Sequence, residues 1–178
     1  MKIRLAIAAI ILISLIFVVF IFLWDGFGFN RDKFLAEKGF FTSHEPPAID
    51  LDLSLLEREE AKIYVINYWA TWCTPCVKEL PDLNKLKNQF GNGDVSVLAV
   101  GVGETLEKME FFLKKYKIER DNIQMIPDEG ISRFPGFDLS YIPLTFVVDN
   151  KGKILSGVIG IREWHKPEFR ELIRSYLE

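Results

Sequence analysis

Cysteine and histidine are scarce in this chain, which has only two of each among 178 residues. So few cysteines exclude a small domain that is held together by several disulfides. A structural zinc site would need two further ligands beside the cysteines, and His44 and His165 each stand alone, so we expect no metal site. An excess of basic residues is also lacking. The net charge of −3 gives no reason to expect nucleic acid as a partner.

A long apolar segment lies near the N-terminus. Residues 5–24 carry no charge, and as a helix they would rise about 30 Å, enough to cross the hydrocarbon layer of a membrane. The alternative is a cleaved signal peptide, whose apolar core is usually shorter, about 7–15 residues, and ends at a small-residue cleavage site. The segment is longer and DGFGFN follows it. We therefore expect residues 1–24 to be an uncleaved, single-pass membrane anchor.

The charges beside this segment bear on its orientation. Lys2 and Arg4 directly flank its N-terminal side, whereas Asp25 comes first on the other side. Basic residues also follow at 31, 33 and 38, so the positive-inside count does not decide the orientation alone. The immediate flanks favour an N-terminus inside the cell and a domain on the extracytoplasmic (periplasmic) side of the cell membrane.

Beyond the anchor, the composition predicts a tether over residues 25–45 and a domain over residues 46–178. The boundary is placed at Pro46-Pro47, because this pair favours extended backbone and cannot continue a helix. Within the domain, strands and amphipathic helices alternate, and a hairpin and a final helix from about Pro167 follow. This order predicts an α/β domain with a mixed sheet. Near-continuous apolar runs predict buried strands at 62–70 and 94–103, and shorter patterns predict strands at 123–127 and on both sides of a turn at 149–152.

Both cysteines lie in the segment NYWATWCTPCVKELP, residues 67–81. A bridge between Cys73 and Cys76 would close a very small loop and stabilise the fold little, so a structural staple is a poor explanation. A strand leads into the pair and a helix leaves it, which places Cys73 at a helix N-terminus. The free N–H groups and the dipole there favour a thiolate, the form that attacks disulfides. The pattern therefore predicts a redox-active dithiol.

The same segment resembles the active-site segment of thioredoxin-fold proteins. More narrowly, W-C-x-P-C-x-x-E-x-P is similar to membrane-anchored thiol:disulfide oxidoreductases of the TlpA/ResA type. The resemblance implies a thioredoxin fold, in which helices flank a mixed central sheet, together with an N-terminal transmembrane helix. It also implies that Cys73 attacks the client, that Cys76 resolves the mixed disulfide, and that Trp72 frames the exposed Cys73.

A second segment, YIPLTFVVDNKGKI, is similar to the family's segment with a cis-proline before a strand and hairpin. The resemblance implies that Pro143 is cis and faces Cys73, and that Ile142 and Leu144 line the substrate groove.

The chain departs from thioredoxins proper at Asn67, where they carry a buried aspartate. An amide cannot accept the proton of Cys76, so Glu79 becomes the candidate carboxylate, because it lies three residues beyond Cys76 on the same helix face. The simpler alternative for Glu79 is a solvated helix carboxylate, and the spacing alone leaves both open.

These features predict an extracytoplasmic enzyme that reduces disulfides in client proteins, with apocytochrome c as a candidate client. A membrane thiol or electron donor would return the enzyme to its reduced state. The dithiol cycle needs no cofactor. Two alternatives stay open. A disulfide oxidase would run the same cycle in reverse, because direction depends on the reduction potential. A Cu(I) carrier would use both thiolates as ligands.

Overall fold

The computed structural model describes residues 30–42, 60–128 and 141–178. We number the elements in chain order. The helices are α1 (Arg31–Glu37), α2 (Thr74–Lys87), α3 (Leu106–Tyr116) and α4 (Pro167–Leu177). The strands are β1 (Phe41–Thr42), β2 (Ile63–Trp69), β3 (Val95–Val102), β4 (Ile123–Asp128), β5 (Leu144–Asp149) and β6 (Ile154–Ile159). The strands, the hairpin and the three later helices predicted from the sequence are confirmed.

The strands form one six-stranded mixed sheet in the order β1-β6-β5-β2-β3-β4. Strands β2, β3 and β4 run parallel to one another, whereas β5 pairs antiparallel with β2 and with β6. Strand β2 is central and buried at every position. Because parallel strands end at the same edge of a sheet, the residues after β2 and β3 meet there, and this edge carries the cysteines.

Alternate residues of β2 point to opposite faces of the sheet, as the period of a strand requires. Val65 and Trp69 join a core to which all four helices contribute. Tyr64, Ile66 and Tyr68 join a second core, built mainly from strand residues, on the other face. The continuous apolar run of β2 thus reflects burial on both faces.

Two glycines are required by local geometry. Gly152 adopts φ 94° in the turn between β5 and β6, as the turn sequence predicted. Gly101 lies in β3 beneath α3, and a Cβ there would overlap the sulfur of Met109. The absence of a side chain at 101 therefore permits close packing of α3 on the sheet.

Residues 31–42 were assigned to the tether by composition. In the structure they belong to the same compact unit as the described residues 60–128 and 141–178. Phe34 and Leu35 of α1 are buried in the first core, and β1 pairs antiparallel with β6. The surface that this segment packs against, on α4 and β6, lies far along the chain, so local sequence patterns do not reveal it.

The predicted domain boundary at Pro46-Pro47 and the expected membrane span at residues 5–24 lie outside the described residues. Within the described ranges, no helix combines the length and apolar character needed to cross a membrane.

Candidate active site

Cys73 and Cys76 form a disulfide at the N-terminus of α2. The S–S distance is 2.02 Å and the Cα atoms are 5.3 Å apart. Cys73 is the N-cap residue of α2, and its Sγ accepts the backbone N–H of Cys76 at 3.3 Å. An N–H donor and a helix dipole at this position favour the thiolate form of a reduced cysteine. The predicted position of Cys73 at a helix N-terminus is confirmed.

The two sulfurs differ in access. Cys76 is completely buried, whereas Cys73 retains 6% exposure. Cys73 is therefore more enclosed in the disulfide form than the sequence suggested, and the neighbouring Trp72 is the exposed residue, at 67%. Of the two cysteines, Cys73 is therefore the one that retains contact with solvent.

The peptide bond that precedes Pro143 lies beside this pair, and Pro143 itself is buried. The Ile142–Pro143 peptide bond is cis, and the carbonyl oxygen of Ile142 lies 3.8 Å from Cys73 Sγ. Ile142 is partly exposed, which suits a groove residue. Leu144 does not fit the groove, because it is buried in the second core as the first residue of β5. Because successive residues of a strand point to opposite faces of the sheet, the Leu144 side chain points to the face that carries the second core.

An apolar rim surrounds this position. It consists of four exposed hydrophobic residues that adjoin Cys73, Ile142 or the residue hydrogen-bonded to Pro143: Trp72, Tyr141, Ile159 and Ile161. Trp72 adjoins Cys73 and Tyr141 adjoins Ile142, whereas Ile159 and Ile161 flank Gly160, whose N–H donates to the Pro143 carbonyl at 2.7 Å. Of these four residues, only Trp72 was predicted from the sequence, because isolated apolar residues near strand ends resemble core residues.

Glu79 is fully buried, so the alternative of a solvated helix carboxylate is wrong. Its Oε1 accepts the backbone N–H of Arg162 at 2.9 Å and the indole N–H of Trp164 at 2.6 Å. Its Oε2 accepts a hydrogen bond from Asn67 Nδ2 at 3.1 Å. Burial raises the pKa of Glu79 to about 7, although the three hydrogen bonds and the charge of Arg162 oppose the rise. A carboxyl group with this pKa can exchange a proton near neutral pH.

Asn67 orients Glu79 from β2. Besides its bond to Glu79, Asn67 Nδ2 donates to Thr145 Oγ1 at 2.8 Å, so both amide hydrogens are used. Asn67 Oδ1 is buried and accepts no hydrogen bond from a described residue. From the sequence, Asn67 indicated only the loss of an acid. In the structure, Asn67 also supports the nearby carboxylate of Glu79 through a hydrogen bond.

Glu104 supports the loop before Cys73, and the sequence analysis missed it. It is fully buried beyond the end of β3, and its Oε1 accepts the Thr71 backbone N–H at 3.0 Å and the Thr71 hydroxyl at 2.7 Å. Its Oε2 lies 2.7 Å from Lys108 Nζ. A signal was available, since β2 and β3 were both predicted as buried strands, and residues that follow adjacent parallel strands meet at one edge.

No group of three or more His, Cys, Asp or Glu side chains is arranged to hold a metal ion in the part of the chain that the structure describes. His165 lies on the surface with its Nδ1 3.0 Å from Asp82 Oδ1. His44 falls outside the described residues.

Residues 47–156 match the model of the AhpC/TSA family. The chain belongs to that family. The thiol-disulfide oxidoreductase ResA of Bacillus cereus is 28% identical over 99% of this chain and 96% of its own length. The ResA of Bacillus subtilis is 33% identical over 53% of this chain and 51% of its own length. A solved thiol:disulfide interchange protein of the thioredoxin family from Chlorobium tepidum has a TM-score of 0.52 at 28% identity, and covers 66% of this chain and 81% of its own.

These similarities agree with the geometry. A thioredoxin-like α/β fold, a Cys-x-x-Cys pair at a helix N-terminus and relatives named for thiol–disulfide chemistry identify this family member as a thiol-disulfide oxidoreductase.

Proposed function

We propose that this protein is a membrane-tethered, extracytoplasmic reductase that transfers electrons from a membrane thiol donor to disulfides in client proteins. The observation that carries the proposal is the unequal placement of the two sulfurs. Cys73 is the N-cap residue of α2 and retains 6% exposure, while Cys76 is completely buried one turn deeper. This arrangement suits an attacking thiolate and a resolving thiol.

The reaction has two steps. The Cys73 thiolate attacks one sulfur of a client disulfide, which forms a mixed disulfide and releases the other client sulfur as a thiolate. Cys76 then loses its proton and attacks Cys73 Sγ, which forms the Cys73–Cys76 bridge and releases the second client thiolate. Two electrons pass to the client. Reduction of the bridge by a donor dithiol restores the starting state.

Glu79 is the proposed proton acceptor for Cys76. Both residues lie on α2 one helical turn apart, and both are fully buried, so bulk water does not serve this step directly. The pKa of Glu79, raised by burial to about 7, suits it to take a proton from a thiol and to return it later.

Client recognition is proposed to use the groove between Cys73 and Pro143. An extended client segment lies there beside Ile142, and the apolar rim contacts the side chains that flank the client cysteine. Trp72 and Tyr141 supply broad faces for such contacts, since both are more than half exposed. Apocytochrome c is the proposed client class, supported by the resemblance to the TlpA/ResA type.

Trapping tests the chemistry. In the full-length chain, Cys76→Ser should accumulate a mixed disulfide between Cys73 and a peptide that carries a disulfide, and dithiothreitol should release it. Cys73→Ser is the matched control and should trap nothing. If the Cys76→Ser chain forms no adduct in mass spectrometry although it is folded, the proposed cycle is wrong.

The reduction potential tests the direction. A value near that of thioredoxin, about −270 mV, supports a reductase, whereas a value near about −120 mV, as in the strong oxidant DsbA, supports the oxidase alternative. Equilibration of the Cys73–Cys76 pair with glutathione or dithiothreitol buffers measures it. Labelling of the reduced cysteines in intact cells with a membrane-impermeant maleimide tests the proposed location.

A further inference from the structure

The carboxyl group of Glu79 receives its hydrogen bonds unequally. Oε1 accepts two N–H donors, from the Arg162 backbone at 2.9 Å and the Trp164 indole at 2.6 Å. Oε2 accepts one, from Asn67. The indole contact is slightly shorter than the usual range of about 2.7–3.2 Å for N–H···O bonds.

This inequality determines where a proton can be added. A hydrogen on Oε1 would face two N–H donors and would weaken both hydrogen bonds. A hydrogen on Oε2 leaves both bonds to Oε1 intact. Rotation of the Asn67 amide would present Oδ1, which has no hydrogen bond from a described residue, to a proton on Oε2, in exchange for the two Nδ2 bonds to Glu79 and Thr145.

The indole of Trp164 is held firmly. It is fully buried, and the ring centroids of Phe40 and Phe169 lie 6.1 Å and 5.0 Å from that of Trp164. Phe34 completes the aromatic group, with its centroid 5.6 Å from that of Phe169 in an edge-to-face arrangement. Such contacts restrict the ring to one orientation.

The Arg162 backbone N–H, the second donor to Oε1, is held in place by contacts of the Arg162 side chain. Arg162 Nη2 donates to the carbonyl of Lys38 at 2.9 Å, and Arg162 Nη1 donates to the carbonyl of Ile161 at 2.8 Å. The residues after α1 therefore contact both donors to Oε1, Trp164 through Phe40 and Arg162 through the Lys38 carbonyl.

We propose that Trp164 is a positioning residue for Glu79: its indole N–H occupies Oε1, so that the proton of Cys76 is taken up and returned at Oε2. The inference rests on the proposed function of Glu79 as the proton acceptor. Trp164 itself does not touch the reacting sulfur in this scheme, and it acts through the carboxylate.

Trp164→Phe tests the inference, because it keeps an aromatic ring and removes the donor. Trp69→Phe is the matched control. Trp69 is equally buried, but its indole N–H donates no hydrogen bond to a described residue. Both changes remove an indole from the first core, and only one removes a donor to Glu79.

The first readout is the titration of Glu79 in the oxidised full-length protein. Carbon-13 NMR of the glutamate side-chain carboxyls follows it, with the Glu79 signal assigned by its loss in Glu79→Gln. Loss of a donor to the charged form should raise the Glu79 pKa in Trp164→Phe by about one to two units, and the control should not change it. An unchanged or lowered pKa in Trp164→Phe overturns the inference.

The second readout separates the inference from the proposed function. The rate at which Cys76 resolves a preformed mixed disulfide should rise with pH around the Glu79 pKa, and in Trp164→Phe the midpoint should move upward with it. If the NMR midpoint moves and the kinetic midpoint does not, Glu79 is not the proton acceptor, and the positioning role falls with it. If Trp164→Phe does not fold, benzothienylalanine at position 164 keeps the ring shape, lacks the N–H and should give the same two shifts.

Discussion

Glu79 and Glu104 are both fully buried carboxylates beside the redox pair, and their surroundings have opposite effects on their charge. Glu79 receives neutral N–H donors, and burial raises its pKa to about 7. Burial also disfavours the charge of Glu104, but hydrogen bonds from Lys108 and Thr71 and the ammonium charge outweigh it, so the pKa of Glu104 is lowered. A direct ion pair with an ammonium group thus separates Glu104, which stays charged and supports a loop, from Glu79, which can exchange protons.

The largest effect is expected when the supporting carboxylate is removed. Glu104→Ala leaves the Thr71 backbone N–H and hydroxyl without their acceptor and should lower the free energy of unfolding by about 4 kcal/mol. Urea denaturation of the oxidised protein measures this loss. Glu107→Ala, at an exposed position in the same region, should cost less than about 1 kcal/mol. Similar losses in both variants would contradict the structural role of Glu104.

The two carboxylates should also impose opposite pH dependences on stability. The pKa of Glu79 is about 7 in the folded state against an ordinary value of 4.5, so the folded state binds more protons between these values. The Glu79 contribution is therefore most favourable below pH 4.5 and is lost as pH rises towards 7. At about 1.4 kcal/mol per pH unit, the loss amounts to about 3 kcal/mol.

Denaturation at a series of pH values measures this effect as the difference between the wild type and Glu79→Gln. The corresponding difference for Glu104→Gln should have the opposite sign. Because the Glu104 pKa is lowered, its contribution is present above 4.5 and is lost as pH falls through the folded-state pKa. If the wild-type-minus-variant differences in unfolding free energy for Glu79→Gln and Glu104→Gln change with pH in the same direction, the contrast between the two carboxylates is wrong.

The smallest effect on stability is expected when the cation is removed. Lys108→Met deletes the ammonium group that lies 2.7 Å from Glu104 Oε2, and because Lys108 is more than half exposed the loss should be about 1 kcal/mol. The Glu104 pKa should rise, which would make Glu104 resemble Glu79. Lys114→Met, exposed on the same helix, is the control and should leave that pKa unchanged. Carbon-13 NMR of the carboxyl groups distinguishes these outcomes.

Local patterns in the sequence predicted much of the fold and the centre of the site. The apolar runs of β2 and β3, the turn at Gly152 and the placement of Cys73 at a helix N-terminus depend on residues close together in the chain. The resemblance to a known segment added the cis bond before Pro143. Leu144 was misplaced because sequence spacing does not say which face of β5 lines the groove.

The sequence by itself determined the reaction type, since two cysteines three positions apart between a strand and a helix specify a reactive dithiol. The tertiary structure decided how the site handles protons. Glu79 meets Trp164 and Asn67 across 85 and 12 positions of the chain, and Glu104 meets Thr71 across 33. Burial and long-range donors set the pKa of a carboxyl group, and both arise only when separate segments pack together.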